Sequence, residues 1–217
     1  MILTAIVLGC LGAAYVAAAL VLTMRLGVSL RQALAYLPLK VALRIDDRAI
    51  ATARTAQAPV IYVVIHRSRL EPALMLSLLP DDTLHILDLD SSATAWLEPW
   101  RALGRTIVFN AEHVFVSRRL VQILKRKGRI AVYLPDEVEP DTRAFRLYRA
   151  VSRIALQAEA RIVTIAVEGS QDFPAGRTGQ PAGRSRWLPR LVVGTLPGRT
   201  VTELVADSLG GSTPGSN

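Results

Sequence analysis

The sequence predicts an α/β fold: a mixed, largely parallel sheet flanked by helices, with one N-terminal transmembrane helix. Three observations carry this. Short β-branched runs without polar alternation recur along the chain, as expected of strands buried on both faces. Segments with helical spacing lie between them, and strands alternating with helices build a parallel or mixed sheet. Residues 1–24 carry no charged side chain.

The apolar run from Ile2 to Met24 comes first. At about 1.5 Å per residue it makes a helix of roughly 35 Å, enough for a hydrocarbon core of about 30 Å. Cys10 inside it is a small apolar residue. A cleaved signal peptide is the competing reading. It needs a charged start and a shorter apolar stretch, although Ala13–Leu20 offers small residues to a peptidase. Arg25, Arg31, Lys40 and Arg44 follow closely, so the positive-inside rule puts the rest of the chain on the cytoplasmic side of the cell membrane, single-pass.

Residues 29–57 read as an amphipathic helical stretch that Pro38 interrupts. It either lies along the membrane surface or connects the anchor to the domain by packing on it. After Pro59 the first strand is Val60–Ile65, followed by a helix over Pro72–Leu79 with Pro at its first position. Thr83–Leu87 is a strand, Ala93–Leu103 a helix ended by Gly104, and Thr106–Phe109 a strand. A helix over 117–127 ends at Gly128, before the strand Ile130–Leu134. The helix over 146–159 places Leu147, Val151, Ile154, Ala155 and Ala158 on one side. Ile162–Val167 is the fifth strand, stopped by Gly169. Residues 170–188 are a loop, and Leu191–Gly194 and Val201–Val205 are edge strands. The expected organisation is a transmembrane helix over 1–24, a membrane-proximal connector over 25–58, the α/β domain over 59–207 and a disordered tail over 208–217.

Composition narrows the chemistry. The 217 residues are 51% hydrophobic with a net charge of +8, so global disorder is excluded and anionic partners are favoured. One cysteine excludes an internal disulfide framework and any Cys-based metal site. His66, His85 and His113 are too widely spaced for a metal motif. No metal and no cofactor is expected.

Reactive groups in such sheets gather at the carboxyl ends of the strands. Two stretches stand out there. The run from Ile65 to Pro72 follows the first strand and sets His66 and Glu71 five residues apart across a turn. That spacing lets Glu71 accept from one ring nitrogen and fix the other as a base. Arg67 and Arg69 add charge suited to a phosphate. The plainer reading makes Glu71 a carboxylate at a helix start, favoured by the helix dipole, and His66 a strand-end residue. The second stretch, Leu134 to Asp141, holds four carboxylates in six residues. It reads either as a cation site or as a solvated acidic loop.

In this order of elements the chain, from about Pro59 to Leu196, resembles the phospholipid/glycerol acyltransferase (lysophospholipid acyltransferase-like) family, with degenerate motifs. The family's first motif, His, four residues, then Asp after a strand, reads here from His66 to Glu71. The string YVVIHRSRLEPALMLSLLP is especially like the glycerol-3-phosphate acyltransferase form. The third motif, Phe-Pro-Glu-Gly-x-Arg, reads here from Leu134 to Glu139. LYRAVSRIALQAEARIVTIAVEGSQ and WLPRLVVGTLP are similar to the helix and strands that follow in acylglycerophosphoethanolamine acyltransferases. The departures are Glu71 for Asp, Glu137 for Gly, no Arg closing the third motif, and Thr164 for a fourth-motif Pro. The second motif has no clean match; the stretch HVFVSRR offers Arg118 and Arg119 as its nearest equivalent.

The resemblance implies a membrane-anchored O-acyltransferase of phospholipid biosynthesis. It would move a fatty acyl group from acyl-CoA or acyl carrier protein to a hydroxyl of glycerol-3-phosphate or a lysophospholipid. His66 and Glu71 would be catalytic. Ser68, Arg69, Arg118, Pro135, Asp136 and Glu137 would bind substrate. The alternative is a catalytically degenerate member that binds lipid or acts as a scaffold. The cations from Arg118 to Arg129, with Arg143, Arg146, Arg149 and Arg153, would meet anionic phospholipid or an acidic carrier, or form a solvated face. Residues 118–129 contain no aromatic side chain, which argues against nucleic acid.

Overall fold

The computed structural model describes residues 2–66, 68, 70–87, 97–108, 114–135, 143–169, 191–195 and 199–200. Among these, the helices are α1 (Ile2–Leu26), α2 (Leu30–Leu43), α3 (Ile50–Arg54), α4 (Leu70–Leu78), α5 (Glu98–Arg101), α6 (Val114–Lys125) and α7 (Arg143–Ala158). The strands are β1 (Val60–His66), β2 (Thr83–Leu87), β3 (Arg105–Val108), β4 (Arg129–Pro135), β5 (Arg161–Glu168), β6 (Val192–Thr195) and β7 (Arg199–Thr200). They form one sheet in the order β3-β2-β4-β1-β5-β6, with β7 also paired to β5. The pairs β1–β4, β1–β5, β2–β3 and β2–β4 are parallel, and β6 and β7 run antiparallel to β5. The fold is therefore α/β, with a mixed, mostly parallel sheet flanked by helices.

The alternation of each strand divides the core in two. Tyr62, Val64, Ala131, Tyr133, Val163 and Ile165 pack with α2, α3 and α4 on one face. Ile61, Val63, Leu84, Ile86, Ile130 and Val132 pack with α6 and α7 on the other. Every side chain of α4 is buried, because α2 covers the face turned away from the sheet. At roughly 1.5–3 kcal/mol for each large apolar side chain removed from water, α4 is a principal stabilising element.

α1 is long and apolar enough to cross a membrane by length and composition. It does not stand free along its whole length. Ala19, Leu22 and Leu26 are buried against the fold, while Ile2, Leu3, Ile6, Leu8 and Leu11 are exposed. Gly27, at φ 66°, turns the chain into α2. Ser29 and Gln32 then close a capping box. The Gln32 amide also donates to the carbonyls of Leu76 (3.0 Å) and Leu79 (2.8 Å), which fixes α2 on the end of α4. Arg54 donates to the carbonyls of Gly27 and Leu78 and ties the same ends together.

Several boundaries differ from expectation. Pro38 does not interrupt the helix; α2 runs through it. Its ring removes the N–H that would bond the Leu34 carbonyl, and the Tyr15 hydroxyl of α1 donates to that carbonyl instead. The 29–57 stretch is two helices, because the chain leaves α2 after Leu43 and Asp46 pairs with Val192, the first residue of β6. α4 begins at Leu70, so Pro72 lies inside the first turn rather than at its first position. α6 and α7 begin three residues earlier than their apolar spacing implies. Of the helix expected over Ala93–Leu103, residues Glu98–Arg101 are helical and 93–96 lie outside the described residues. The loop 170–188, the strand Val201–Val205 and the tail also lie outside them.

Candidate active site

The site builds outward from the carboxyl end of β1, the strand between β4 and β5. The backbone of His66 closes β1 and is paired in register with Pro135, which closes β4. Two stretches 69 residues apart in sequence thus end side by side. The chain turns after His66 and enters α4, which carries Glu71 in its first turn.

Glu71 is fully buried. Its carboxylate accepts the Ser68 backbone N–H at 2.9 Å and 3.1 Å, one distance to each oxygen, and the Ser68 hydroxyl at 2.8 Å. The Ser68 oxygen in turn accepts the Leu70 N–H at 3.2 Å. This is a reciprocal cap, in which serine satisfies a free N–H of the helix and the acid three residues on satisfies the N–H of serine. A buried carboxylate is tolerable only when hydrogen-bonded, and Ser68 meets part of that demand beside the positive end of α4.

Beneath α4, the sheet presents a second polar pair. His85 of β2 and Tyr133 of β4 are both buried, with Nδ1 of His85 at 2.8 Å from the Tyr133 hydroxyl. Burial pushes the His85 imidazole down to about 3, so it is neutral at ordinary pH. Burial, and then the nearby charge of Glu71, push the Tyr133 hydroxyl well above its ordinary value. Neither residue was singled out as a site residue from sequence. The available signal was one polar ring inside each of two mostly apolar runs, Thr83–Leu87 and Arg129–Pro135.

The other expected site residues fare differently. Ser68 is brought onto Glu71 and is buried. Arg118 is exposed on α6, on the far side of the sheet from α4. Pro135 is placed by its backbone beside His66. Arg69, Asp136 and Glu137 lie outside the described residues, as does the rest of the acidic stretch to Asp141.

No family model matches the chain, and no curated protein matches it. Among solved structures the chain is similar to a 1-acyl-sn-glycerophosphate (LPA) acyltransferase from Thermotoga maritima. The TM-score is 0.48 and the identity 13%, over 80% of this chain and 72% of that one.

Proposed function

We propose that this chain is a membrane-anchored O-acyltransferase of the glycerolipid type. It takes a fatty acyl group from a thioester donor, acyl-CoA or acyl carrier protein, and delivers it to a hydroxyl of glycerol-3-phosphate or a lysophospholipid. The observation that carries the reading is the placement of Glu71. A buried carboxylate sits in the first turn of the helix that follows the strand ending at His66, and Pro135 of the third motif ends beside His66. The sequence resemblance assigns these positions to one site, and the parallel β1–β4 pair provides a frame on which they meet. α1 serves as the anchor, with the α/β domain on the cytoplasmic side and anionic lipid at the surface.

In this reading His66 takes the proton of the acceptor hydroxyl as its oxygen attacks the thioester carbonyl. The C–S bond breaks, the thiolate leaves, and the proton passes from the imidazolium to the thiolate, giving the free thiol. A base in this role contributes on the order of 10²–10⁴ in rate. Glu71 fixes the imidazole tautomer and stabilises the imidazolium. Ser68 sets Glu71, and Arg69, Asp136 and Glu137 belong to the acceptor side, while Arg118, on the far face of the sheet, is set apart from it.

A second reading is favoured by one observation. The three hydrogen bonds from Ser68 to Glu71 are also those of an ordinary helix cap. With Glu137 where the family has glycine, the chain would then be a degenerate member that binds lipid or a partner enzyme. The test is labelled acyl transfer in detergent or vesicles, with both donor types, glycerol-3-phosphate and a panel of lysophospholipids. Loss of turnover in His66→Ala with retention in Glu71→Asp supports the enzyme. No turnover by wild type with any pair, together with binding to anionic vesicles, supports the second reading.

A further inference from the structure

The alternation that divides the core also sorts the outer surface. α1 packs on α2, α2 on α4, and α4 on one face of the sheet. α6 and α7 pack on each other and cover the opposite face. α1 runs side by side with α2, since Gly27 turns the chain between them and the Tyr15 hydroxyl reaches the Leu34 carbonyl. The anchor helix and the α6–α7 pair are thus the outermost layers on opposite sides of the molecule.

The outward side of α6 and α7 is basic. Leu120 and Leu124 of α6, with Val151 and Ile154 of α7, are buried toward the sheet. Arg118, Arg119, Lys125, Arg126 and Arg153 are exposed on the other side. Among the described residues none of these five side chains is ion-paired. Glu159 is the one acid among the described residues of α6, α7 and the turns that end them. Leu156, one turn beyond Arg153, is 57% exposed beside the cations. Like charges gathered without acids between them repel one another and favour a partner of opposite sign.

The layer order decides what kind of partner. The outward face of α6 and α7 points away from α1 and across its axis. A bilayer crossed by α1 stands edge-on to that face. A bilayer along which α1 lay would be on the other side of the molecule. The cations placed to meet lipid are instead those beside the anchor, where Arg25 and Arg31 are exposed. α6 follows β3 and α7 follows β4, so both begin at the edge of the sheet where β1 ends in His66.

We infer that the outward face of α6 and α7 is a docking surface for an acidic soluble protein. The identity of that protein rests on the acyl-transfer reading, in which it is the acyl carrier protein that brings the thioester. Its acidic side meets Arg119, Arg126 and Arg153, and Leu156 takes an apolar contact. The acyl chain, on the carrier's flexible arm, passes round the strand edge toward His66.

The test uses the full-length protein in phosphatidylcholine nanodiscs, as wild type and as the triple variant Arg119→Glu, Arg126→Glu, Arg153→Glu. Glutamine at the same three positions serves where charge reversal unfolds the chain, which thermal unfolding reports. Binding of fluorescent acyl carrier protein is read at low and at raised salt. Acyl transfer is read with acyl carrier protein and acyl-CoA donors of one chain length. The expected result is salt-sensitive binding by wild type that weakens about tenfold in the variant. KM for the protein donor rises by a similar factor, while kcat and KM for acyl-CoA stay unchanged. No carrier binding by wild type, equal binding by the variant, or an equal loss with both donors would overturn the inference. Attachment of the discs to anionic vesicles through these residues, without carrier binding, would overturn it in favour of a membrane. Carrier binding that is lost in the variant, in a protein without turnover from either donor, would support the docking surface and overturn the acyl-transfer reading on its own.

Discussion

Ser68 and Glu71 cap one another. The serine N–H and hydroxyl both bond the Glu71 carboxylate, and the serine oxygen takes the Leu70 N–H. Ser68→Ala keeps the backbone N–H but removes both hydroxyl bonds. A lost N-cap costs about 1 kcal/mol, rising toward 2 where the group is buried. The expected outcome is a fall in unfolding free energy of that size, with Ser68→Thr recovering part of it. Equal stability of wild type and Ser68→Ala would mean that the cap does not hold α4.

His85 gives the fold a dependence on pH. Its imidazole titrates near 6.5 when unfolded and at about 3 when folded. Between those values the unfolded chain binds a proton that the folded one does not, so stability falls as pH falls through this window. The slope is about 1.4 kcal/mol per pH unit for one group. Below pH 3 the loss is complete, and above pH 6.5 the contribution is level. Among the described residues Tyr62, Tyr133 and Glu71 are titratable groups on this face, and all three are shared with a His85→Gln variant. The difference in unfolding free energy between wild type and His85→Gln, followed from pH 7 to pH 4, is expected to move steadily against the wild type. A flat difference would place a charged, solvated imidazole at this position.

The sheet was legible because its signal is local. Val60–Ile65 and Ile162–Val167 are β-branched runs broken only by Tyr62 and Ala166, and the strands observed there extend each by one residue at the ends or less. Thr83–Leu87 agrees residue for residue. The helix limits were less legible because side chains elsewhere decide them. Nothing near Pro38 announces that Tyr15 will take over its lost hydrogen bond. Part of the candidate site was equally open. The Ser-x-x-Glu spacing of a cap was present in the string, and so was the His66–Glu71 spacing. His85 and Tyr133 were not, since 48 residues separate them and only the β2–β4 pairing joins them.

The end of α6 makes two neighbouring residues respond in opposite directions. Lys127 lies at φ 57°, and its N–H bonds the Leu124 carbonyl while the N–H of Gly128 bonds that of Ile123. This is a Schellman ending whose left-handed position holds lysine instead of glycine. Lys127→Gly removes the Cβ strain of that conformation and is expected to stabilise by about 1 kcal/mol. At Gly128 a Cβ would stand 2.5 Å from the Ile123 carbonyl oxygen, so Gly128→Ala must displace backbone. A loss of roughly 1–3 kcal/mol is expected there, the range of overpacked sites. Thermal unfolding of the two variants beside wild type checks both signs. Destabilisation by Lys127→Gly would show that the lysine side chain contributes more than the strain costs.

α1 is hydrogen-bonded to α2 through a hydroxyl whose removal has a defined effect. Pro38 leaves the Leu34 carbonyl without its partner inside α2, and Tyr15 of α1 supplies the missing donor. In an environment that excludes water such a carbonyl has no alternative, and an unmet backbone group costs about 1–3 kcal/mol. Tyr15→Phe keeps the ring and deletes only the donor, so it should loosen α1 from α2 while leaving the sheet intact. Pro38→Ala returns an N–H to the Leu34 carbonyl from within α2 and should make the protein indifferent to Tyr15→Phe. Amide hydrogen exchange over residues 30–43 in detergent reads this directly. Faster exchange in Tyr15→Phe, restored by adding Pro38→Ala, is the expected pattern, and the same rate in all three proteins would mean that the carbonyl is satisfied from elsewhere.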